Sequence, residues 1–304
     1  MPSPRRIICV GHAALDRIYR IEAFPPEPTK VRALEHVESG GGMAANAAVA
    51  IARLGGRAEL WSRVGDDGAG NTIRAGLRAE RVDIRYVQAF EGARSSTSAI
   101  IVDDKGERLI VGQRDAGMPS GTSWLPLERV ADADAVLGDV RWLEGLRAVF
   151  ARARKEKVPT VLDADVGARE ALTGILKLTD HAIFSAQALR ELVSGGSDEE
   201  RLAHVLSLGP KHAGVTLGRD GYLWREGSEG GHAPAFRTSV VDTTGAGDAF
   251  HGAFTLMLAE GRPVAECARL AAAVAALKCT RLGSRAGLPT RAELDAYLRR
   301  NNAY

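Results

Sequence analysis

Short, mainly apolar runs recur along the chain, and most of them alternate with longer stretches whose apolar residues follow helical spacing. Apolar runs of this kind are typical of parallel strands that are covered on both faces. They occupy residues 6–12, 58–64, 135–138, 160–162, 182–184 and 214–217. The helical patterns occupy residues 43–54, 142–157, 198–208, 249–260, 263–280 and 291–300. The alternation predicts an α/β fold, with residues 1–304 forming a single domain on a mainly parallel central sheet.

Two segments interrupt this alternation and predict a small additional sheet. Pro25, Pro26 and Pro28 exclude a helix between two strand-like runs near the N-terminus. Residues 98–111 read as two β-prone runs joined by an Asp-Asp-Lys-Gly turn, which is a hairpin pattern. We therefore expect segments of approximately 17–38 and 86–114 to form a β lid against one face of the main domain.

Composition and charge narrow the class of protein further. The chain has 304 residues, and its 40 basic against 38 acidic side chains give a formal charge of +2. This balance offers no electrostatic reason to expect a nucleic-acid or membrane partner. Cys9, Cys267 and Cys279 are odd in number and form no Cys-x-x-Cys pair. With no apolar run long enough for a signal peptide or a membrane span, these features predict a cytoplasmic protein.

The most informative motif for chemistry is Asp-Thr-Thr-Gly-Ala-Gly-Asp at residues 242–248, which leads into a predicted helix. Glycines at a helix start leave backbone amides open, and the helix dipole makes this end attractive to a phosphoryl group. Asp248 would repel a phosphate, so a carboxylate there suggests a general base that takes the proton from an attacking hydroxyl. A tight turn with Asp248 as a helix cap explains the same residues equally well.

A second glycine-rich stretch, Ser-Gly-Gly-Gly-Met-Ala-Ala-Asn at residues 39–46, precedes an alanine-rich helix. The side-chain amide of Asn46 can both donate and accept hydrogen bonds with sugar hydroxyls. Asp16 follows the first strand, and its carboxylate could accept two hydroxyl groups of one ligand. An Asx turn at Asp16 and a capping role for Asn46 are the structural alternatives.

Taken together, the motifs at residues 40–48 and 242–248 resemble the two signatures of the ribokinase-like (PfkB) carbohydrate kinases. The resemblance covers essentially the whole chain and implies the three-layer α/β fold of that family with its small β lid. It further implies transfer of a phosphoryl group from ATP, with Mg²⁺, to a hydroxyl of a small-molecule sugar.

The same resemblance assigns roles to individual residues. Asp248 would be the catalytic base, and the backbone amides of residues 245–248, which include Gly245, Ala246 and Gly247, would form the anion hole. The sugar contacts implied are Asp16, Gly41, Gly42 and Asn46. The nucleotide contacts implied are Thr216, Gly218, Gly221 and Thr244. Asp242 and Thr244, with the loop 283–287, would hold a monovalent cation such as K⁺, and the lid is expected to form a homodimer contact.

A narrower resemblance concerns the sugar. Several segments are similar to the kinases of 6-deoxy-6-sulfofructose, which suggests phosphorylation of that sugar to its 1-phosphate. These segments are residues 16–19, 40–42, 98–100, 106–108, 139–142, 161–163, 185 and 275–281. Lys30 and Arg141 match the cationic positions of that branch, and an arginine fork suits an oxyanion such as a sulfonate. Gly112 stands where that branch has an asparagine. Either Gln113 or Arg114 could replace that asparagine, or the sugar could carry a different tail.

A further departure from the family is the absence of its Asn-x-x-Glu motif, whose place here reads Phe-Ser-Ala-Gln-Ala-Leu at residues 184–189. That motif helps to organise Mg²⁺, so the ion would be held mainly by phosphates and water. Two alternative functions stay open. One is a fructokinase or ribokinase acting on an uncharged sugar, and the other is a non-catalytic sugar or nucleotide sensor.

Overall fold

The computed structural model describes residues 3–105, 107–114, 117–167 and 169–301. Its large sheet has nine strands in the order β13-β12-β11-β10-β9-β8-β1-β4-β5. The bounds of these strands are β1 Arg6–Gly11, β4 Arg57–Gly65, β5 Asp83–Phe90, β8 Ala135–Asp139, β9 Thr160–Ala164, β10 His181–Ser185, β11 His212–Thr216, β12 Tyr222–Glu226 and β13 Glu229–Ala233. The strands from β11 to β5 are parallel, whereas β12 and β13 form an antiparallel edge.

The small sheet has four strands in the order β3-β2-β6-β7. Their bounds are β2 Ala14–Arg20, β3 Glu35–Gly41, β6 Ser96–Val102 and β7 Arg108–Gln113. Strands β6 and β7 pair antiparallel, as the hairpin pattern predicts, although Gly106 of the predicted turn lies outside the described residues. The predicted second lid segment, 86–114, begins too early, because residues 86–90 lie in β5 of the large sheet.

The helices cover both faces of the large sheet. Their bounds are α1 Met43–Arg53, α2 Gly68–Ala79, α3 Leu143–Glu156, α4 Arg169–Leu176, α5 Ala186–Leu192, α6 Asp198–Ser207, α7 Ala246–Ala259, α8 Val264–Lys278 and α9 Arg291–Arg300. Short 3₁₀ turns lie at Leu127–Asp132 and Gly218–Asp220. Each of the helices predicted from the hydrophobic pattern is present, with ends displaced by no more than three residues.

Alternation along the central strand β1 explains the three layers. Ile7 and Cys9 point into one core, which is completed by α1, α2, α7, α8 and α9. Ile8 and Val10 point into the other core, which is completed by α3, α4, α5 and α6. Successive strand residues face opposite sides of a sheet, so a strand buried on both sides must be apolar throughout. The predicted α/β fold with a mainly parallel sheet and a small second sheet is thus confirmed.

Two further observations concern the cysteines and the length of the helices. Cys9, Cys267 and Cys279 are free thiols, and all three are buried. Among the helices of the described residues, none is both long enough and apolar enough to cross a bilayer.

Candidate active site

Helix starts and strand ends converge at one edge of the large sheet. Strand β1 ends at Gly11 and β8 ends at Asp139, while α1 begins at Met43 and α7 begins at Ala246. Backbone amides from the turn after β1 and from the first turn of α1 both donate to the Asp139 carboxylate. The carboxyl ends of parallel strands are where open α/β sheets bind ligands, and most of the predicted site residues are gathered there.

Helix α7 begins in a turn that leaves backbone amides open. Gly245 precedes the helix with a φ of 77°, a left-handed conformation that favours glycine. The amides of Gly247 and Asp248 lie in the first turn, so they have no acceptor within the helix, and the dipole adds positive charge there. The Ala246 amide differs, because it donates to the carbonyl of Thr243 at 3.1 Å. Within the predicted anion hole, the available helix-start donors are therefore Gly247 and Asp248.

Asp248 is held from the first turn of the other helix. The Asn46 side-chain amide donates to Oδ2 of Asp248 at 2.8 Å. The other end of that amide accepts a hydrogen bond from Nε of Arg285 at 2.8 Å. Arg285 also donates to the carbonyl of Gly41 at 3.3 Å. The arrangement fixes which oxygen of Asp248 faces Asn46 and leaves Oδ1 free to meet a ligand.

Close packing of α1 on α7 makes this contact possible. A Cβ atom at Gly252 would lie 2.5 Å from the carbonyl oxygen of Ala47, so the position accepts only glycine. The alanine-rich sequence of α1 buries residues 44–51 without large side chains that would push α7 away. Small residues on both helices thus bring Asn46 and Asp248 together from positions 202 residues apart.

The surroundings of Asp248 disfavour its charged form. Burial and the nearby carboxylate of Asp163 raise the pKa of Asp248 to about 7, although the Asn46 hydrogen bond acts in the opposite direction. His251, one turn further along α7, bonds through Nδ1 to the Gly247 carbonyl at 2.6 Å. Burial lowers the pKa of His251, so its ring is neutral near neutral pH. A carboxyl group with a pKa near the working pH is suited to general-base chemistry.

This pKa leads to a prediction about pH. If Asp248 must be ionised to act, kcat/KM should fall about tenfold per pH unit below about pH 7 and level off above it.

Folding stability should show the opposite trend. Between about pH 4 and 7 the native Asp248 holds a proton that the unfolded chain has lost, so its contribution to the unfolding free energy falls as pH rises. Rate and denaturation profiles of wild type and Asp248→Asn check both trends, and a pH-independent kcat/KM between pH 5 and 8 would contradict the first.

Asp16 lies in the small sheet rather than at the end of the first strand, because β2 starts at Ala14. Its Oδ1 accepts a hydrogen bond from Ser98 of the adjacent strand at 2.5 Å. A Cβ at Gly41 would lie 2.2 Å from Oδ2 of Asp16, so glycine is needed for this approach. Burial raises the pKa of Asp16, and the nearby Arg285 acts against that rise. Asp16, Gly41, Arg285, Asn46 and Asp248 thus form one connected group of contacts.

Gly42 lies beside the backbone of His12, whereas Gly41 lies beside Asp16. With a φ of 91°, Gly42 precedes α1, and a Cβ there would lie 2.5 Å from the carbonyl oxygen of His12. The adjoining Asp139 carboxylate accepts hydrogen bonds from the backbone amides of His12, Ala44 and Arg141 at 2.8–3.0 Å. Gly42 and Asp139 therefore fix the junction of strand, small sheet and helix.

Three of the four predicted nucleotide residues line a cavity of about 430 Å³ on the other side of the α7 start, whereas Thr244 is not among its lining residues. Thr216, Gly218 and Gly221 form one wall, and the start of α7 forms the floor through Ala246 and Gly247. Apolar side chains make up most of the remainder, which includes Ala235, Phe236, Val240, Phe250, Ala272, Ala275 and Ala276. A mostly apolar cavity that reaches the open amide of Gly247 suits a flat base with a phosphate chain.

Asp242 and Thr244 precede the cavity floor and are tied to each other. Oδ1 of Asp242 accepts hydrogen bonds from the amide and the hydroxyl of Thr244 at 2.8 and 2.7 Å. The Thr244 hydroxyl also lies 3.2 Å from Arg108 of β7, which connects the small sheet to the start of α7. Oδ2 of Asp242 accepts the amide of Gly283 at 2.8 Å. These bonds hold the loop 283–287 against the turn that opens α7.

Arg141 lies in a second, smaller cavity of about 130 Å³ next to the small sheet, which we call the arginine pocket. Its lining residues are Gly11, His12, Arg63, Ser96, Arg114, Met118, Arg141 and Trp142. Arg141 is partly engaged already, because its guanidinium bonds to Asp165 at 2.5 Å and to the Val166 carbonyl at 2.9 Å. Arg63 stacks on the Trp142 ring at 4.4 Å. No carboxylate lines this pocket within the parts of the chain that the structure describes.

Two further groups of the arginine pocket have shifted pKa values. Burial lowers the pKa of His12 to about 4, with the three arginines acting in the same direction and Asp139 against it, so this ring is neutral near neutral pH. Its Nε2 has no hydrogen-bond partner among the described residues. Burial and the charge of Arg141 lower the pKa of Arg114. Lys30, in contrast, is exposed in the irregular segment between β2 and β3 and does not line the pocket.

Comparisons with known proteins agree with this geometry. The model of the pfkB family carbohydrate kinases matches residues 4–291. The chain belongs to this family. It is 29% identical to the ribokinase of Bacillus subtilis, over 97% of this chain and 99% of that protein. It is 30% identical to an ATP-dependent ribose-1-phosphate kinase of Halopiger xanaduensis, over 96% of this chain and 98% of that protein. A solved structure from Agrobacterium tumefaciens, provisionally named a ribokinase, has a TM-score of 0.95 at 37% identity, over 99% of this chain and all of that one.

Sequence reasoning missed several residues of this pfkB-family site. Arg285 lies in the loop that the sequence marked only as a cation candidate, and an arginine between two glycines after a helix was its single signal. Asp139 carried the signal of an aspartate that follows an apolar strand directly. Arg63 gave none, because its convergence with Arg114 and Arg141 depends on how the small sheet meets the large one.

The place of the missing Asn-x-x-Glu motif is the start of α5. Ser185 caps that helix by accepting the Ala188 amide, and its hydroxyl lies 3.2 Å from Asp165. Across the described ranges, no group of three His, Cys, Asp or Glu side chains is arranged to hold a metal ion.

Proposed function

We propose that this pfkB-family chain transfers the γ-phosphoryl group of ATP to a sugar hydroxyl, with Asp248 as general base. The observation that carries the proposal is the start of α7. Its amides form the floor of the apolar cavity on one side, and Asp248 meets Asn46 and the small sheet on the other. A donor and an acceptor that bind on these two sides would meet at the open amides of Gly247 and Asp248.

In this reaction the sugar hydroxyl approaches the free Oδ1 of Asp248. Its proton passes to the carboxylate as the sugar oxygen bonds to the γ-phosphorus and the bond to the β-phosphate oxygen breaks. The charge on the phosphoryl oxygens is stabilised by the amides of Gly247 and Asp248 and by the dipole of α7. Asn46 and Arg285 keep Asp248 oriented, and Asp16 accepts further hydroxyls of the same sugar.

ATP and Mg²⁺ are the expected cosubstrate and ion. The wall formed by Thr216, Gly218 and Gly221 and the apolar lining suit the adenine and ribose. Mg²⁺ would neutralise charge on the phosphates. Since its usual motif is missing, we expect phosphate oxygens and water to hold the ion. Asp165, which accepts a hydrogen bond from Ser185, is a carboxylate beside the place of that motif.

We infer that the preferred sugar carries a permanent anion, and 6-deoxy-6-sulfofructose is the first candidate. The arginine pocket supports this inference. Ser96 lines that pocket, and Ser98, two residues along the same strand, holds Asp16. Residues two apart on a strand share a face at a spacing of about 6.8 Å. A sugar bound at Asp16 can therefore extend its far end toward Arg63, Arg114 and Arg141.

The absent asparagine at Gly112 is compatible with this assignment. Gly112 is exposed within β7, whereas Arg114, two residues later, lines the pocket. A guanidinium supplies charge-assisted donors where the amide would supply neutral ones. The runner-up is a ribokinase or fructokinase acting on an uncharged sugar, which the ribokinase relatives favour.

We also propose that the small sheet forms the contact of a homodimer. Its edge strand β7 exposes Leu109, Ile110 and Val111, and the segment before β3 exposes Val31 and Leu34. An exposed apolar edge strand is a ready surface for association. Lys30 lies next to this surface. We expect the molecular mass in solution to be that of a dimer for the wild type and that of a monomer for Ile110→Lys.

The experiment that tests the function is sugar-dependent ADP release with Mg-ATP. We expect 6-deoxy-6-sulfofructose to be preferred about a hundredfold over fructose, ribose and fructose 6-phosphate at equal low concentration, which corresponds to ~2.7 kcal/mol of transition-state discrimination. A preference for fructose or ribose would keep the kinase and reject the anionic sugar. Tight sugar binding with no turnover on any sugar would favour the sensor.

A further inference from the structure

Lys278 is a fully buried lysine beside the proposed anion hole. It is the last residue of α8, and its side chain has no exposed surface. The Nζ atom donates to the backbone carbonyl of Asp242 at 2.7 Å and lies 3.8 Å from Oδ2 of the same residue. A buried ammonium requires a partner of opposite charge, and the Asp242 carboxylate is that partner.

The ammonium lies where the family resemblance implies a monovalent cation. The backbone and carboxylate oxygens of Asp242 are natural ligands for such an ion. Here Lys278 binds the backbone oxygen, and the carboxylate oxygens already accept the amides of Thr244 and Gly283 and the Thr244 hydroxyl. A bound K⁺ would be repelled by the Lys278 ammonium, and these contacts include no buried carboxylate besides Asp242 to balance the second positive charge. The residues at this place therefore do not fit a monovalent cation.

Lys278 also lies between the two loops that shape the anion hole. A Cβ at Gly287 would lie 2.1 Å from the backbone carbonyl of Lys278, so this loop packs directly on the end of α8. In the same loop, Ser284 packs against Gly245, where a Cβ would lie 3.0 Å from the serine side chain. The ammonium thus contacts the turn before α7 at the point where the loop 283–287 presses on it.

We propose that the Lys278 ammonium takes the place of an activating monovalent cation and makes this chain independent of one. It acts as a positioning residue, which fixes the Asp242 carbonyl and hence the turn that presents the amides of Gly247 and Asp248. An ammonium group and K⁺ carry the same charge and are of similar size, so one can substitute for the other on carbonyl oxygens. The inference rests on the proposed phosphoryl transfer for its effect on rate.

The first test uses the wild-type protein at constant ionic strength. Potassium, sodium and tetramethylammonium chloride are exchanged, and kcat/KM and the midpoint of thermal unfolding are measured. We expect less than about twofold variation in kcat/KM and no K⁺-specific rise in the midpoint. Activation of about tenfold or more by K⁺ alone, or a K⁺-specific thermal shift, would overturn the proposal. The thermal arm needs no turnover, so it tests this inference even if the chain is not a kinase.

The second test uses Lys278→Met, which keeps the length of the side chain and removes its charge. We expect kcat to fall about tenfold or more and K⁺ or NH₄⁺ to restore part of it, with a new K⁺-specific rise in the unfolding midpoint. Lys177→Met, which changes an exposed lysine, should leave both readouts unchanged. Full activity of Lys278→Met without any added cation would contradict the proposal. If this variant does not fold, the wild-type measurement decides.

Discussion

Replacing Asp248 by asparagine is expected to lower kcat for sugar-dependent ADP release by about 10²–10⁴-fold, with little change in the KM of either substrate. The amide has the same shape as the carboxylate and can still accept the hydrogen bond from Asn46. It cannot take a proton from the sugar hydroxyl. The loss should therefore appear in the chemical step, and the pH dependence of the residual rate should lose its limb near pH 7.

Binding measurements separate this effect from a folding defect. Calorimetry should give sugar and ATP affinities for Asp248→Asn within about threefold of wild type. Asp295→Asn, on helix α9 and outside every contact of the site, is the matched control and should retain full kcat. If Asp248→Asn keeps more than about a third of the wild-type kcat, another group removes the proton. A wild type that binds sugar but never turns over would instead identify a sensor.

Much of the fold could be predicted because its elements are encoded locally. The strand Arg6–Gly11 is apolar and buried after its first residue, since both of its faces are covered. Helix α9 begins at a Thr-x-x-Glu capping box that marks its boundary in the sequence. Two of the elements that the pattern missed have weaker local signals. Helix α2 begins at Gly68 and is glycine-rich, and β13 reads Glu-Gly-Gly-His-Ala. Both are stabilised by their neighbours, α2 through Ile73 and Leu77 in the core and β13 by pairing with β12.

The site was only partly accessible from the sequence for a related reason. The glycine motif before α7 predicts its own local structure, and the start of this helix lies as the motif indicates. The bond between Asn46 and Asp248 depends on α1 packing against α7, which sequence spacing does not encode. Arg285 illustrates the same limit. Its guanidinium joins Asn46 to Gly41, yet it lies 239 and 244 residues away from them along the chain.

Removing positive charge from the arginine pocket is expected to raise KM for 6-deoxy-6-sulfofructose far more than KM for fructose. Arg114→Ala gives the cleanest test, because Arg114 is exposed just after β7 and lines the pocket. Arg141→Ala should have the same direction of effect but also leaves Asp165 without its ion-pair partner. A charged hydrogen bond contributes ~1.5–3 kcal/mol, so each change should raise KM for the sulfo-sugar roughly 10- to 150-fold, at the lower end for the exposed Arg114. Lys30→Ala belongs in the same series, because it tests whether a lid lysine outside the pocket contributes to binding of the sulfo-sugar.

The ratio of the two KM values decides the matter, since a general disturbance of the site would raise both. Arg20→Ala removes the same charge from strand β2 of the small sheet, where Arg20 pairs with Glu35 and Asp104 away from the pocket, and it should leave the ratio unchanged. Raised ionic strength should weaken sulfo-sugar binding in wild type and have less effect in Arg114→Ala, because salt screens the charge that the variant has lost. If Arg114→Ala and Arg141→Ala change both KM values equally, the arginine pocket does not bind the anionic group of the sugar. An uncharged sugar then becomes the better assignment.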